Sequence, residues 1–591
     1  MADPHQPQPF NGINAVTGDY GLQWSADDLV QRVFGGAADA KLLRRQEEFA
    51  QAVKDTKKEN VRGVRESVDG TKLAEAGWGI IFAYADPNLE AIKEALQPLL
   101  ALRAAQAGPY FRVFTGPDAY RPGETKTEFL RRFNIGTGAV DPKMGVPYYL
   151  LLIGNPELIP FEFQYQLDIQ FAVGRLDFES PEEYANYAKA VLAAEMGQQP
   201  LARTAAFFSV TNDDDSATAA TDKYLVQPLT AKLAATPHWA FTAHRGSNAT
   251  RSQLDALLGG EQKPALLFTA SHGIEFPAGD PLQERRQGAL LCNEWPGPQE
   301  WRGPLPESFY FAGDHLSDST DPSGLIAFHF ACYSGGTPQF YDFEQPSGNP
   351  LATGAARQPI ADRPFVANLP KQLLGHPRGG ALAVVSHVDR AWSYSYRQGE
   401  TPQTAVFEDA LTRLFAGQPL GWALEFFNTR YAELAADLSD TINRMRWGSR
   451  LEAYQVASLW TENHDARKYI VLGDPAVRLA VAPLAGSESE SQTIPILATP
   501  DGRPLEVSVA DWAQTPPSVK SLLVRSLENA EKLTTQLAQA AASPAARSPV
   551  YRDGGRSSGV QPPSAATRGG AMRGGATRSG QSRSGEDESA R

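Results

Sequence analysis

The feature that most constrains this chain is a series of short apolar runs. Each is shut off by glycine or a polar turn, and most are separated by stretches of helical pattern. The runs lie at 78–84, 110–115, 147–153, 169–173, 204–210, 265–271, 325–331, 379–386 and 468–472. Most are apolar throughout rather than alternating, which is the pattern of strands covered on both faces. An α/β fold follows, with a mostly parallel sheet flanked by helices. In such a sheet ligands sit beyond the carboxyl ends of the strands, so the residues that close the runs are the first candidates for chemistry. Run 265–271 is followed by His272-Gly273. Run 325–331 is followed by Cys332, with Gly335-Gly336 close behind.

At 591 residues and 42% hydrophobic, the chain exceeds one ordinary core and is expected to divide. Residues 1–70 read as an extended and helical leading segment, with Ser25 capping a helix at about 26–34 and a charged helix over 38–66. Residues 71–197 read as a smaller α/β subdomain. It closes with a helix to about 196, opened by Ser180-Pro181-Glu182-Glu183. The main α/β domain is expected over 198–485. Its stretch 274–322 is long, irregular and rich in Gly and Pro, with a short strand expected at 289–292; a stretch of that size usually serves function. Residues 486–542 read as a small β addition and a C-terminal helix. The Arg/Gly/Ser-rich tail, 543–591, cannot bury enough apolar area to offset ordering and is expected to be disordered.

The net charge of -13 argues against a nucleic-acid-binding body, although Arg568-Gly-Gly and Arg573-Gly-Gly suit weak RNA contact by the tail. Two cysteines, Cys292 and Cys332, exclude a disulfide framework and fit a reducing compartment. No apolar run reaches the ~18 residues of a membrane helix, and no leader pattern opens the chain. A cytoplasmic protein without membrane contact is expected.

Taken singly, Cys332 reads as a buried inert thiol and His272 as a loop or capping histidine. Taken together, at matched strand ends, they suggest a thiol–imidazole dyad, since a reactive thiol needs a nearby acid or base and donors for an oxyanion. His329 and Cys332 have His-x-x-Cys spacing, but residues three apart on a strand face opposite ways, so no metal site is expected. Asp213, Asp214 and Asp215 leave room for a structural Ca²⁺, without EF-hand spacing. No phosphate-binding glycine motif is present.

Six motifs in order resemble the caspase-like (clan CD) cysteine peptidases, most closely the gingipain family, with the CHAT-domain peptidases as cousins. They are Tyr-Tyr-Leu-Leu-Leu-Ile-Gly-Asn-Pro-Glu-Leu-Ile-Pro at 148–160, Val173-Gly174-Arg175 ahead of Ser180-Pro-Glu-Glu, and Ser271-His272-Gly273. Then come Ala331-Cys332-Tyr-Ser-Gly335, Gly-Ala-Leu-Ala-Val-Val at 380–385, and Val-Leu-Gly-Asp-Pro-Ala at 471–476. The resemblance implies a caspase-like fold and a cysteine endopeptidase acting on protein or peptide substrates, without a cofactor. It implies Cys332 as nucleophile, His272 as general acid, and the amides of Gly273 and Cys332 as oxyanion donors. In this clan a charge beside the dyad sets the residue accepted before the cut bond (P1). Asp213, Asp214, Asp215 or Asp389, with Trp392 as a wall, would favour Arg or Lys; Arg390 would favour an acid. Basic specificity would make the arginines of the tail targets for self-trimming. Gingipains are secreted with propeptides, so the lack of a leader pattern implies a cytoplasmic relative, regulated by its N-terminal domain. The family carries Gly where this chain has Ser271. That departure is the sequence support for an alternative, a catalytically inactive caspase-fold interaction scaffold.

Overall fold

A computed structural model describes residues 10–21, 63–212, 214–341, 359–398, 401–446 and 453–484, with a few isolated positions besides. The expected helices at 26–34 and 38–66, the β addition and helix at 486–542 and the tail lie outside the described residues, apart from those isolated positions.

The chain begins with a three-residue strand, β1 (Gly12–Asn14). Then come β2 (Trp78–Phe82), β3 (Phe111–Phe114), β4 (Tyr149–Ile153) and β5 (Ala172–Leu176). The next are β6 (Thr204–Ser209), β7 (Ala240–Arg245), β8 (Leu266–Ala270) and β9 (Gly273–Glu275). Further on lie β10 (Leu290–Leu291), β11 (Tyr310–Phe311), β12 (Ile326–Phe330), β13 (Ala383–His387) and β14 (Tyr469–Gly473).

Ten of these form one sheet in the order β3-β2-β4-β5-β14-β13-β12-β8-β6-β7. Every neighbouring pair is parallel except β13–β14. The sheet is therefore two five-stranded parallel halves, running oppositely and joined edge to edge. β2, β4, β5, β8, β12, β13 and β14 are buried at every residue, whereas the outermost strands, β3 and β7, are partly exposed. The mostly parallel sheet with flanking helices is the fold class read from the sequence. The last strand among the described residues, β14, sits at its centre and bridges the stretches 71–197 and 198–485.

The expected strand at 169–173 lies a few residues later. A helix runs over Phe161–Asp168 and the strand takes Ala172–Leu176, carrying Gly174 in its middle. A Cβ at Gly174 would lie 2.0 Å from the Gly473 carbonyl oxygen, so glycine here permits close approach of β5 and β14 rather than a turn. The junction is fixed by Asp474, fully buried just past β14. It pairs with Arg103 Nε at 2.7 Å and accepts from Trp78 Nε1 at 2.9 Å. The helix Pro181–Glu195 opens as expected, with Ser180 and Glu183 forming a reciprocal capping box.

The stretch 274–322 is not structureless. It supplies β10 and β11 to a second sheet, β1-β9-β10-β11. Ile13, Ile274, Leu291, Trp295 and Tyr310 form a small core there. No helix among the described residues is long and apolar enough to cross a membrane.

Candidate active site

β8 and β12 pair in register with Ala270 opposite Phe330. Two residues further along each strand, His272 and Cys332 leave the same edge of the sheet. Gly273 then passes directly over the cysteine main chain: a Cβ there would fall 1.7 Å from the Cys332 carbonyl oxygen. Tyr333 and Asp389 both take left-handed backbone, with φ of 57° and 65°. Tyr333 N–H donates to the Asp389 carbonyl at 2.6 Å, locking together the turns that follow β12 and β13. Backbone of this kind concentrates where a fold holds a site in place.

His272 is fully buried. Its Nε2 lies 2.7 Å from Asp215 Oδ2, also buried. Burial alone would raise the Asp215 carboxyl, but the His272 ring and hydrogen bonds from His272, Thr218 and Tyr20 hold it down at about 2. An ionised carboxylate only accepts, so Nε2 carries a hydrogen. The other ring nitrogen, Nδ1, is buried without a hydrogen-bond partner. The rings of Tyr20 and Trp295 meet the imidazole edge-on at 5.9 and 5.8 Å.

Cys332 Sγ is buried and accepts from Ala391 N–H at 3.2 Å. Burial pushes the thiol well above its ordinary value, against smaller opposing effects of that amide and of Arg390.

Residues 10–14 lie across this pair. Asn11 N–H donates to the Ala391 carbonyl at 3.1 Å. The Asn11 carbonyl oxygen accepts from two amides, Gly273 N–H at 2.9 Å and Cys332 N–H at 3.1 Å. Phe10 bridges antiparallel to Trp392 and packs on its ring at 5.3 Å. On the far side, β1 pairs parallel with β9, Gly12 opposite Gly273. A Cβ on Gly12 would lie 3.1 Å from Cys332 Sγ.

The other residues singled out in the sequence are dispersed. Asp215 is on His272. Asp214 accepts from Gln299 N–H at 2.7 Å, and Asp213 lies outside the described residues. Asp389 pairs with Lys468 at 2.5 Å. Arg390 pairs with Glu275 at 3.0 Å. Trp392 is buried beneath Phe10. Among the described residues, no three His, Cys, Asp or Glu side chains gather as a metal cage would require. Sequence reading passed over Asn11, Gly12 and Ala391. The one signal was Asn11-Gly12, a pair that reads by default as a turn.

The model of peptidase family C25 matches residues 80–480. A solved structure described as "Structure of Protease" aligns over 69% of this chain and 80% of its own, at 14% identity and a TM-score of 0.40. No curated protein matches. With the family's model spanning more than two thirds of its length, and both strand ends inside the match, the chain belongs to peptidase family C25, a family of cysteine endopeptidases.

Proposed function

We propose that this chain hydrolyses peptide bonds with Cys332 as nucleophile and His272 as its proton carrier. The observation that carries the reading is the Asn11 carbonyl oxygen, held by two amides beside the buried thiol. A substrate carbonyl in that position has preorganised donors for the charge that develops on attack. Gly273 fits the role because only a residue without Cβ brings its amide this close to Cys332.

The thiol is neutral in this state, so attack on the carbonyl carbon transfers its proton to His272. As the C–N bond breaks, His272 returns a proton to the leaving amine, and water then hydrolyses the thioester. Asp215 holds the imidazole by Nε2 and balances its charge when both nitrogens are protonated. Nδ1 is the nitrogen left for the reacting groups. Asp215 thus supports a positioning role rather than basic P1 recognition, and its oxygens are taken by Tyr20, Thr218, Ala217 N–H and His272.

The inactive-scaffold alternative rested on Ser271. Its hydroxyl donates to the His272 carbonyl at 3.1 Å, so the side chain has a place without disturbing the dyad. A thiol-directed covalent peptide probe tests the proposal. Cys332 is expected to label faster than Cys292, whose buried thiol is raised by the same cause, and Cys332→Ala is expected to lose peptide cleavage. Equal labelling of both cysteines, with no cleavage of any peptide, would refute it.

A further inference from the structure

Resting on that peptidase reading, we infer that the site takes asparagine before the cut bond and that its first substrate is the chain's own Asn11–Gly12 bond. The main chain of residues 10 and 11 is bound as a substrate's acyl side must be. Phe10 pairs antiparallel with Trp392, Asn11 N–H reaches the Ala391 carbonyl, and the Asn11 carbonyl oxygen lies between the amides of Gly273 and Cys332.

The Asn11 side chain is 1% exposed. Nδ2 donates to the Ser271 carbonyl at 3.2 Å. Oδ1 lies 3.2 Å from Thr221 Oγ1, which is itself 3.1 Å from the Tyr396 hydroxyl. The single Thr221 proton is also within reach of the Ala217 carbonyl, at 2.9 Å, so the contact that selects is the one from Nδ2 to the Ser271 carbonyl. A buried carbonyl in that place calls for a donor, which an amide supplies. An aspartate would set a second acceptor against the Ser271 carbonyl, and a glutamine would overfill an enclosed space. For an Arg or Lys side chain, Asp215 offers little, because both its oxygens are engaged already.

The next residue carries the second, independent sign. Any Cβ on residue 12 would meet Phe10 at 3.0 Å and Cys332 Sγ at 3.1 Å. Glycine at this position is what lets the bond lie against the thiol. Beyond it, Ile13 is fully buried among Ile274, Leu291 and Trp295, and Tyr20 donates to Asp215. The downstream segment therefore keeps its own anchorage when the bond is cut.

In the step itself, the Cys332 sulfur bonds to the Asn11 carbonyl carbon and its proton passes to His272. The bond to Gly12 nitrogen breaks, and that nitrogen takes the proton from His272. Water then splits the thioester, giving a peptide that ends in an Asn11 carboxylate and a chain that begins with the Gly12 amine. Loss of residues 1–11 removes Phe10 and Asn11 from the positions a substrate in trans must occupy.

The test is intact mass and N-terminal sequencing of the purified full chain, alongside Cys332→Ala and Asn11→Ala. The wild-type chain is expected to begin at Gly12, and both variants are expected to keep the residues ahead of it. In parallel, peptides Phe-Asn-Gly, Phe-Asp-Gly and Phe-Arg-Gly, each embedded in one flanking sequence, are given to the wild-type protein. A preference for Asn of about 10²-fold or more in kcat/KM is expected, because the competing side chains leave buried polar groups unpaired. Cleavage after Arg or Asp in preference to Asn, with an intact N-terminus, overturns this inference and leaves the peptidase reading standing. Preferred cleavage after Asn in peptides, with the N-terminus still intact, overturns the self-cleavage. No cleavage anywhere, with Cys332 labelling no faster than Cys292, overturns the peptidase reading beneath it.

Discussion

The sharpest test of the site's electrostatics is Asp215→Asn. Asparagine keeps the shape and still accepts from Ala217 N–H at the helix start, so what changes is the charge beside His272. The Asp215 carboxyl is held at about 2 against an ordinary 3.8. At ~1.4 kcal/mol per unit that difference is worth roughly 2 kcal/mol. The sign follows from the depression. Above pH ~4 the carboxylate is ionised in folded and unfolded chains alike, and the folded state has the full benefit. As pH falls from about 4 through 2, the unfolded chain takes up a proton first and the benefit is lost. Urea unfolding should therefore find Asp215→Asn less stable by roughly 2 kcal/mol between pH 5 and 8, with the gap closing below pH 4. Activity should fall about 10- to 100-fold in kcat/KM at neutral pH, with KM little changed, because the lost attraction bears on the charged imidazole. An unchanged gap between pH 7 and pH 3, or a variant as stable as wild type at pH 7, would refute the assignment of that carboxylate to His272.

Two further outcomes concern the junction of the half-sheets. Gly174→Ala places a methyl 2.0 Å from a carbonyl oxygen of the neighbouring strand. It should cost about 1–3 kcal/mol in chemical denaturation, with hydrogen exchange quickened first at 172–176 and 469–473. Arg103→Met strands the buried Asp474 carboxylate and should cost about 3–5 kcal/mol, part of which Arg103→Met with Asp474→Asn recovers.

Much of the fold was legible because fully buried strands leave a plain mark: runs such as 149–153 and 266–270 contain nothing polar enough to face water. The strand over 172–176 was misplaced because Gly174 and Arg175 look like a turn. The glycine instead makes room for Gly473, and the arginine is buried with Gln164 and the carbonyls of Gly154 and Ile159 around it. Both contacts are long-range, and no local pattern encodes them. In the stretch 274–322 the strand expected at 289–292 is present as Leu290–Leu291, while its partner at 310–311 went unread for the same reason. These two-residue strands exist only because β9 gives them an edge, and β9 in turn pairs with residues 12–14.

The site divides along a similar line. The placement of His272 and Cys332 at neighbouring strand ends could be read from the sequence, because a histidine or cysteine that closes an apolar run is a local signal. The carbonyls around Asn11 could not, because they act through the main chain. The Ala391 and Ser271 carbonyls accept whatever side chains those residues bear. Side-chain acids near the dyad were the natural candidates for specificity, and the structure spends Asp215 on His272 and Asp389 on Lys468. Beside the Asn11 side chain stand the Ser271 carbonyl and the Thr221 hydroxyl, which suit a neutral amide and bring no carboxylate to a cation. Ser271, the departure from the family's pattern, follows the same logic. Its hydroxyl bonds to a neighbouring carbonyl, while its own carbonyl accepts from Asn11 Nδ2. A change from glycine to serine there leaves the recognising atom where it was.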